Sequence, residues 1–353
     1  MSDTRYSPTL HRLALLTAIA TFPLIFMGGL VTSHGAGMSV PDWPNSYGYN
    51  MFTFPPSKWV GGIFYEHTHR LMGTVVGMLS IALTIAAWKL ESRRWVRWLT
   101  TIVLGAVILQ GVLGGLRVVF VNLDLAIVHA CFAQAFFCLA SIVAVVTSRR
   151  WIEAPDLSRA TDGTRGRRLT TLAAACVFAV FAQLVIGAVM RHEKAGLAIP
   201  DLPLAYGQLV PPTSANGLNT INQQRAWTYH LDPVTLGNLW LNFAHRVGAV
   251  VVSILLIGLI ALALAKFRSN QWLLRPALAL IALLLLQITL GVLTVLMRKP
   301  ADIASAHVAT GALVLATTVV FTVRAMRCYS LSFRTVSSTT CSEAKFGFDL
   351  ATA

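Results

Sequence analysis

Eight apolar runs leave this chain few ways to fold. They cover roughly 13–33, 64–88, 96–117, 125–147, 169–190, 238–265, 272–297 and 303–325. Each is long enough to cross about 30 Å of hydrocarbon as a helix rising 1.5 Å per residue. Only helices or closed barrels satisfy the backbone at that depth, and these runs have helix length. With 56% hydrophobic and 12% charged residues, the chain falls outside the soluble globular class. The expected fold is an all-α integral membrane protein of eight transmembrane helices.

The formal net charge is +14, which raises the question of nucleic acid. The basic residues form no single patch, so no nucleic acid is expected as a partner. They gather in alternate loops: Arg5 and Arg12; Lys89, Arg93, Arg94 and Arg97; Arg149, Arg150, Arg165, Arg167 and Arg168; Lys266, Arg268 and Arg275; Arg324 and Arg327. That is the positive-inside pattern of a multi-pass protein, here of a bacterial inner membrane. An even span count then puts both termini in the cytoplasm. The first run is too long for the apolar core of a signal peptide and reads as a retained span. Cys131, Cys138 and Cys176 fall inside apolar runs and Cys328 and Cys341 near the tail, so no loop disulfide is expected.

The chain repeats itself. Ala36-Gly37 and Pro41-Asp42-Trp43-Pro44-Asn45-Ser46-Tyr47-Gly48 match Ala195-Gly196 and Pro200-Asp201-Leu202-Pro203-Leu204-Ala205-Tyr206-Gly207, at a constant offset of 159. Leu109-Gln110 and Leu113-Gly114 match Leu286-Gln287 and Leu290-Gly291. Two four-helix halves follow, 1–150 and 169–329, joined by a basic linker at 151–168 and followed by a disordered tail at 330–353. Because four is even, the halves run in the same direction as a parallel repeat.

Charged and imidazole side chains are expensive at membrane depth and mark function. His69, His129, His245 and His307 each fall within the first two turns of an even-numbered span, two per half. His69 pairs with His245 in the repeat, and His129 with His307. Two facing helices of a bundle can present imidazoles to opposite faces of a haem iron. A lone intramembrane histidine is more often a packing residue; two repeat-related pairs make the metal reading the stronger one. Zinc fits less well, since it takes three or four clustered ligands. Arg70 and Arg246 follow two of the histidines and are candidates to pair with a propionate; snorkelling to headgroups is the plainer alternative. Glu66 stands one turn before His69, where the other half has Asn242. This asymmetry suggests that one half does chemistry and the other holds a cofactor; complementing the helix dipole is the bland reading. His67 points away from the His69 face and reads as secondary. His34, His192 and His230 fall in outward loops and are expected to be solvated. Gln110, Gln183 and Gln287 are intramembrane amides to which the sequence gives no role.

Glu66-x-x-His69-Arg70, His129, Asn242-x-x-His245-Arg246, His307 and the paired Pro-Asp-x-Pro-x-x-Tyr-Gly loops together resemble the haem A synthase family, over about 20–325. With no cysteine in 34–63, the chain resembles the proteobacterial and mitochondrial branch. The resemblance implies an oxidoreductase of cytochrome oxidase assembly that oxidises the C8 methyl of haem O to the formyl of haem A by two hydroxylations through an alcohol, haem I. It implies His69 and His129 on the substrate haem, His245 and His307 on a haem b cofactor, and Glu66 acting at the substrate methyl. It further implies as partners a haem O synthase, oxidase assembly factors, membrane lipid and an electron donor, and leaves room for a homo-oligomer. Histidine on both faces of the substrate iron leaves no position for oxygen. Either one ligand departs in turnover or the oxidation avoids an iron–oxo route. A dihaem electron-transfer cytochrome and a haem or small-molecule transporter are the alternatives.

Overall fold

The structure is a computed structural model that describes residues 5–153 and 163–329. Eight long helices carry the apolar runs: α1 Pro8–Ser33, α2 Gly62–Leu90, α3 Arg94–Val119, α4 Leu123–Val146, α5 Gly163–His192, α6 Leu236–Lys266, α7 Gln271–Leu296 and α8 Ala301–Tyr329. All eight are long and apolar enough to cross a membrane, with mean hydropathy of 1.8 to 3.0 over their best windows. The chain is therefore a multi-pass membrane protein. The helices overrun the apolar runs by up to several residues at most ends, and at four N-termini polar caps carry them on. Ser7, Asn122, Thr235 and Asn270 each accept a hydrogen bond from a first-turn backbone N–H, satisfying donors the helix cannot.

The contacts fit the two-half arrangement. Helices α1 to α4 close one ring, α1 against α2, α2 against α3, α3 against α4 and α4 back on α1. Helices α5 to α8 close a second ring in the same order. The rings meet where α8 packs on α1 and α4, and α4 on α5. Of α8's most apolar stretch 61% is buried, against 11% for α7, so α8 is the seam and α7 the lipid-facing flank. Small residues allow this: a Cβ on Gly29 of α1 would lie 2.9 Å from the Cβ of Ser305 in α8. Ser33 and Ser305 are hydrogen-bonded across the seam at 3.2 Å, and Arg191 at the end of α5 donates to the Gly29 carbonyl and to Ser33 Oγ.

The long connection after α5 is more structured than its sequence suggests. It contains a helix, Ala215–Gln224, and a π-helical turn, Arg225–Tyr229. Arg225 is 4% exposed and donates to the carbonyls of Leu197, Ala198 and Asp232 and to the Tyr206 hydroxyl. Among the described cysteines, Cys131, Cys138, Cys176 and Cys328 are free. Cys341 and the tail expected to be disordered lie outside the described residues.

Candidate functional site

All four histidines lie in the helices expected, but not all in the first two turns. Because α2 begins at Gly62 and α6 at Leu236, His69 and His245 fall in the third turn. The rings of His69 and His129 face each other across the first half, with centroids 6.4 Å apart and planes at 82°. In the second half, His307 lies within electrostatic reach of His245.

Each ring rests on a glycine of the preceding helix. A Cβ on Gly28 of α1 would stand 3.1 Å from His69 Cε1, and one on Gly114 of α3 3.1 Å from His129 Cε1. Gly187 of α5 and Gly291 of α7 do the same for His245 and His307, each at 3.0 Å. The residue four before each glycine completes the seat. The carbonyls of Leu24, Gln110 and Gln287 lie beside the imidazoles of His69, His129 and His307, whose Nδ1 atoms are buried without a hydrogen-bond partner. At the fourth seat the Gln183 amide nitrogen lies 3.0 Å from His245 Nδ1 and donates to the His245 carbonyl at 2.7 Å. Gln110 likewise donates to the His129 carbonyl at 3.1 Å. The three glutamines thus serve the histidines. The signal lay in the sequence as a fourfold pattern, Leu or Gln four residues before Gly in each odd-numbered span.

Arg70 and Arg246 direct their guanidinium Nη1 and Nη2 groups to backbone carbonyls. Arg70 donates to the carbonyls of Val40, Asp42 and Asn45 at 2.7, 2.7 and 3.0 Å. Arg246 donates to their counterparts Ile199, Asp201 and Leu204 at 2.7, 2.8 and 3.1 Å. The two arginines therefore tie the repeated loops down beside the histidines. Each loop is folded alike. Asp42 accepts the N–H groups of Tyr47 and Gly48, as Asp201 accepts those of Tyr206 and Gly207. The tyrosine hydroxyls donate to the carbonyls of Ser39 and Ala198. Burial pushes the Asp42 carboxyl up, but the N–H groups of Gly48 and Tyr47 outweigh it and hold the group below its ordinary value.

Glu66 and Asn242 brace the same loops with opposite chemistry. Glu66, 2% exposed, accepts the Val40 N–H at 2.9 Å on Oε2 and pairs with Arg70 at 2.9 Å through Oε1. Asn242 instead donates to the Ala195 and Gly196 carbonyls at 2.9 and 3.2 Å. The first half therefore carries a buried anion where the second carries a neutral amide. Sequence reasoning missed Arg117, in the last turn of α3. It donates to the Gly37 carbonyl at 3.1 Å and lies within electrostatic reach of Glu66, His69 and His129. Trp43 rests on Gly115, beside the Gly114 seat; the second half has Leu202 and Val292 at those positions.

His67 does more than a secondary residue would. It is fully buried, 3.2 Å from Ser46 Oγ, against Trp59 and Phe54. His34 is exposed and stacks on Tyr65 at 4.0 Å, and His230 is exposed. His192 is not a solvated loop residue. Helix α5 runs on to include it, and its Nδ1 bonds the Ala188 carbonyl at 2.8 Å.

Residues 11–319 match the profile of the COX15-CtaA family, described as cytochrome oxidase assembly proteins. The chain belongs to this family. It is similar to the haem A synthase of Shouchella clausii, 29% identical over 81% of this chain and 87% of the relative. It is similar also to that of Shewanella oneidensis, 26% identical over 86% and 93%, and to that of Halalkalibacterium halodurans, 27% over 83% and 89%.

The residues fit the haem that the family implies. Two metal–nitrogen bonds of about 2 Å, plus about 1.1 Å from each nitrogen to its ring centre, put two imidazoles on one iron about 6.3 Å apart. The 6.4 Å between His69 and His129 meets that span. At His69 and His129 carbonyls beside the ring leave Nε2 as the atom that would ligate; at His245 the Gln183 amide nitrogen faces Nδ1, and at His307 the Gln287 amide nitrogen lies 3.5 Å from Nε2. Among the described residues no group of three or more histidine, cysteine or acidic side chains could hold a metal ion. Two protein ligands per site suit an iron whose other four ligands come from a porphyrin.

Proposed function

We propose that this chain converts haem O to haem A, oxidising the C8 methyl to a formyl group in two hydroxylations through the alcohol. The single observation that carries the reading is the His69–His129 pair at haem-ligating separation beside a buried carboxylate found in only one half. The names of the relatives support the same reaction. In this reading His69 and His129 hold the substrate haem, and the loop over them keeps water out. Glu66 keeps a negative charge fixed between Arg70 and the Val40 N–H. A carboxylate offers about four lone-pair positions, so Glu66 retains capacity to accept a proton or orient water at the substrate methyl. Arg117, within electrostatic reach of both histidines and the carboxylate, replaces Arg70 as the first-half candidate for a propionate. Arg191, half-buried at the seam with no acidic partner among the described residues, replaces Arg246 in the second.

His245 and His307 would hold haem b, which when bound supplies one-electron relay chemistry. The near-equivalence of the four glycine seats also suits a dihaem electron-transfer cytochrome. The buried Glu66 carboxylate, paired with Arg70 and within electrostatic reach of Arg117, has no counterpart in the second half and favours the synthase. The arginine-rich ends of the helices lie in the cytoplasm of a bacterial inner membrane, with both termini there. Haem O synthase supplies the substrate and oxidase assembly factors receive the product. Expression beside a haem O producer tests this: haem A in the membrane pigment is expected, and haem O unchanged at full protein yield would overturn it.

A further inference from the structure

At the end of the bundle that carries the arginines, far along the helices from the loops, a cavity of about 480 Å³ opens where the two rings meet. Its floor is apolar, from Leu15 and Ala18 of α1 and Val320 of α8, and its rim carries Tyr6, Arg150 and Arg324. A second depression of about 750 Å³ shares Arg150 and Trp272 and adds Arg275 and Glu153, whose carboxylate is taken up by Arg149 at 2.7 Å. Arginines that only set topology fan outward with their heads in water. These converge. The charged neighbours of Arg324 include Arg150 and Arg275, and among the described residues none of the three has an acidic partner. Arg324 gives one N–H to the Trp272 carbonyl at 3.2 Å, while its buried Nε has no partner.

The platform beneath is built from both halves. Trp151 follows α4 and Trp272 opens α7; their rings lie 5.8 Å apart. Arg324 sits over Trp272 at 5.7 Å and Arg327 over Trp151 at 5.1 Å. Like charges brought together over a fixed aromatic surface call for an anion with several acceptor oxygens. The apolar floor continues to Leu15, which is 44% exposed on the surface of α1, so the anion should carry a hydrocarbon tail. We propose that this cavity and the adjoining depression together bind the phosphate headgroup of an anionic phospholipid, with an acyl chain along Leu15 and Ala18, and that the lipid clasps the two halves together. Basic pockets between membrane helices recognise such headgroups by charge and hydrogen bonding.

The test uses the full chain, delipidated in detergent and read by native mass spectrometry with phosphatidylglycerol, phosphatidylcholine or inorganic phosphate added. Phosphatidylglycerol should be retained and phosphatidylcholine lost. The doubly substituted Arg150→Gln, Arg275→Gln protein should bind phosphatidylglycerol roughly 25-fold more weakly, with unchanged pigment spectrum and elution volume. Both arginines are exposed, so the fold should tolerate the change. If that protein nevertheless aggregates, the wild-type chain decides alone: its phosphatidylglycerol binding must weaken as salt is raised. Equal retention of the two lipids, an unchanged double variant or salt-independent binding would overturn the proposal. Displacement of the lipid by inorganic phosphate at comparable concentration would make this a free-phosphate site and overturn it too.

Discussion

Filling a histidine seat should expel haem from one half at a time. In Gly187→Ala and Gly291→Ala the new methyl carbon would stand 3.0 Å from Cε1 of His245 or His307. Carbon atoms are comfortable at about 3.5–4.0 Å, so the ring or its helix must move by about 0.5 Å. An iron–imidazole bond of about 2 Å follows such a shift poorly. Overpacking of this kind costs about 1–3 kcal/mol. If it is felt mainly in ligation, affinity falls roughly 5- to 150-fold. The assay is haem bound per polypeptide after purification, with the low-spin fraction read by electron paramagnetic resonance. Gly258→Ala is the control, because nothing lies within 4 Å of a Cβ there, and it should match the wild type. Gly28→Ala and Gly114→Ala should depress only the first-half pigment. Full low-spin haem with unchanged affinity in both second-half variants would refute the seat.

Glu66→Gln should abolish haem A formation while second-half haem stays bound; haem A at wild-type yield would remove Glu66 from the chemistry. Arg70→Ala strands the Glu66 carboxylate, 2% exposed, and should cost about 3–5 kcal/mol; Arg246→Ala, which leaves no anion behind, should lower the thermal midpoint less. The lowered Asp42 pKa has a defined sign: the folded state binds that proton less readily than the unfolded chain, so the carboxylate's contribution is present above 3.8 and lost as pH falls through the lower folded value. Protease nicking of the first loop should therefore rise only in strong acid, and Asp42→Asn should remove that dependence.

The eight helices and the four histidines were legible because both leave a signal in single residues: long apolar runs, and imidazoles where none is cheap. The Glu66–Asn242 contrast was legible because the repeat supplied its own reference. What Arg70 and Arg246 do was not, since their acceptors are backbone carbonyls about 25 to 30 positions earlier for Arg70, and carbonyls are the same in every residue. Arg117 was read as nothing for the same reason; its anchor, Gly37, lies 80 positions away. His67 looked secondary by helix phase, but the phase that turns it from His69 turns it into the loop. The glycine seats were half visible: the Gly114–Gly291 match was found, but its purpose appears only when the next helix lays an imidazole on it.

Two haem sites with separate ligands should have separate contents. The most direct measurement extracts pigment from His69→Ala and His245→Ala proteins, purified from cells that make haem O, and separates the haems by chromatography. Loss of farnesylated haem from His69→Ala with haem b retained, and loss of haem b from His245→Ala, is the predicted result. The same mixture of haems lost in equal proportion from both variants would contradict it.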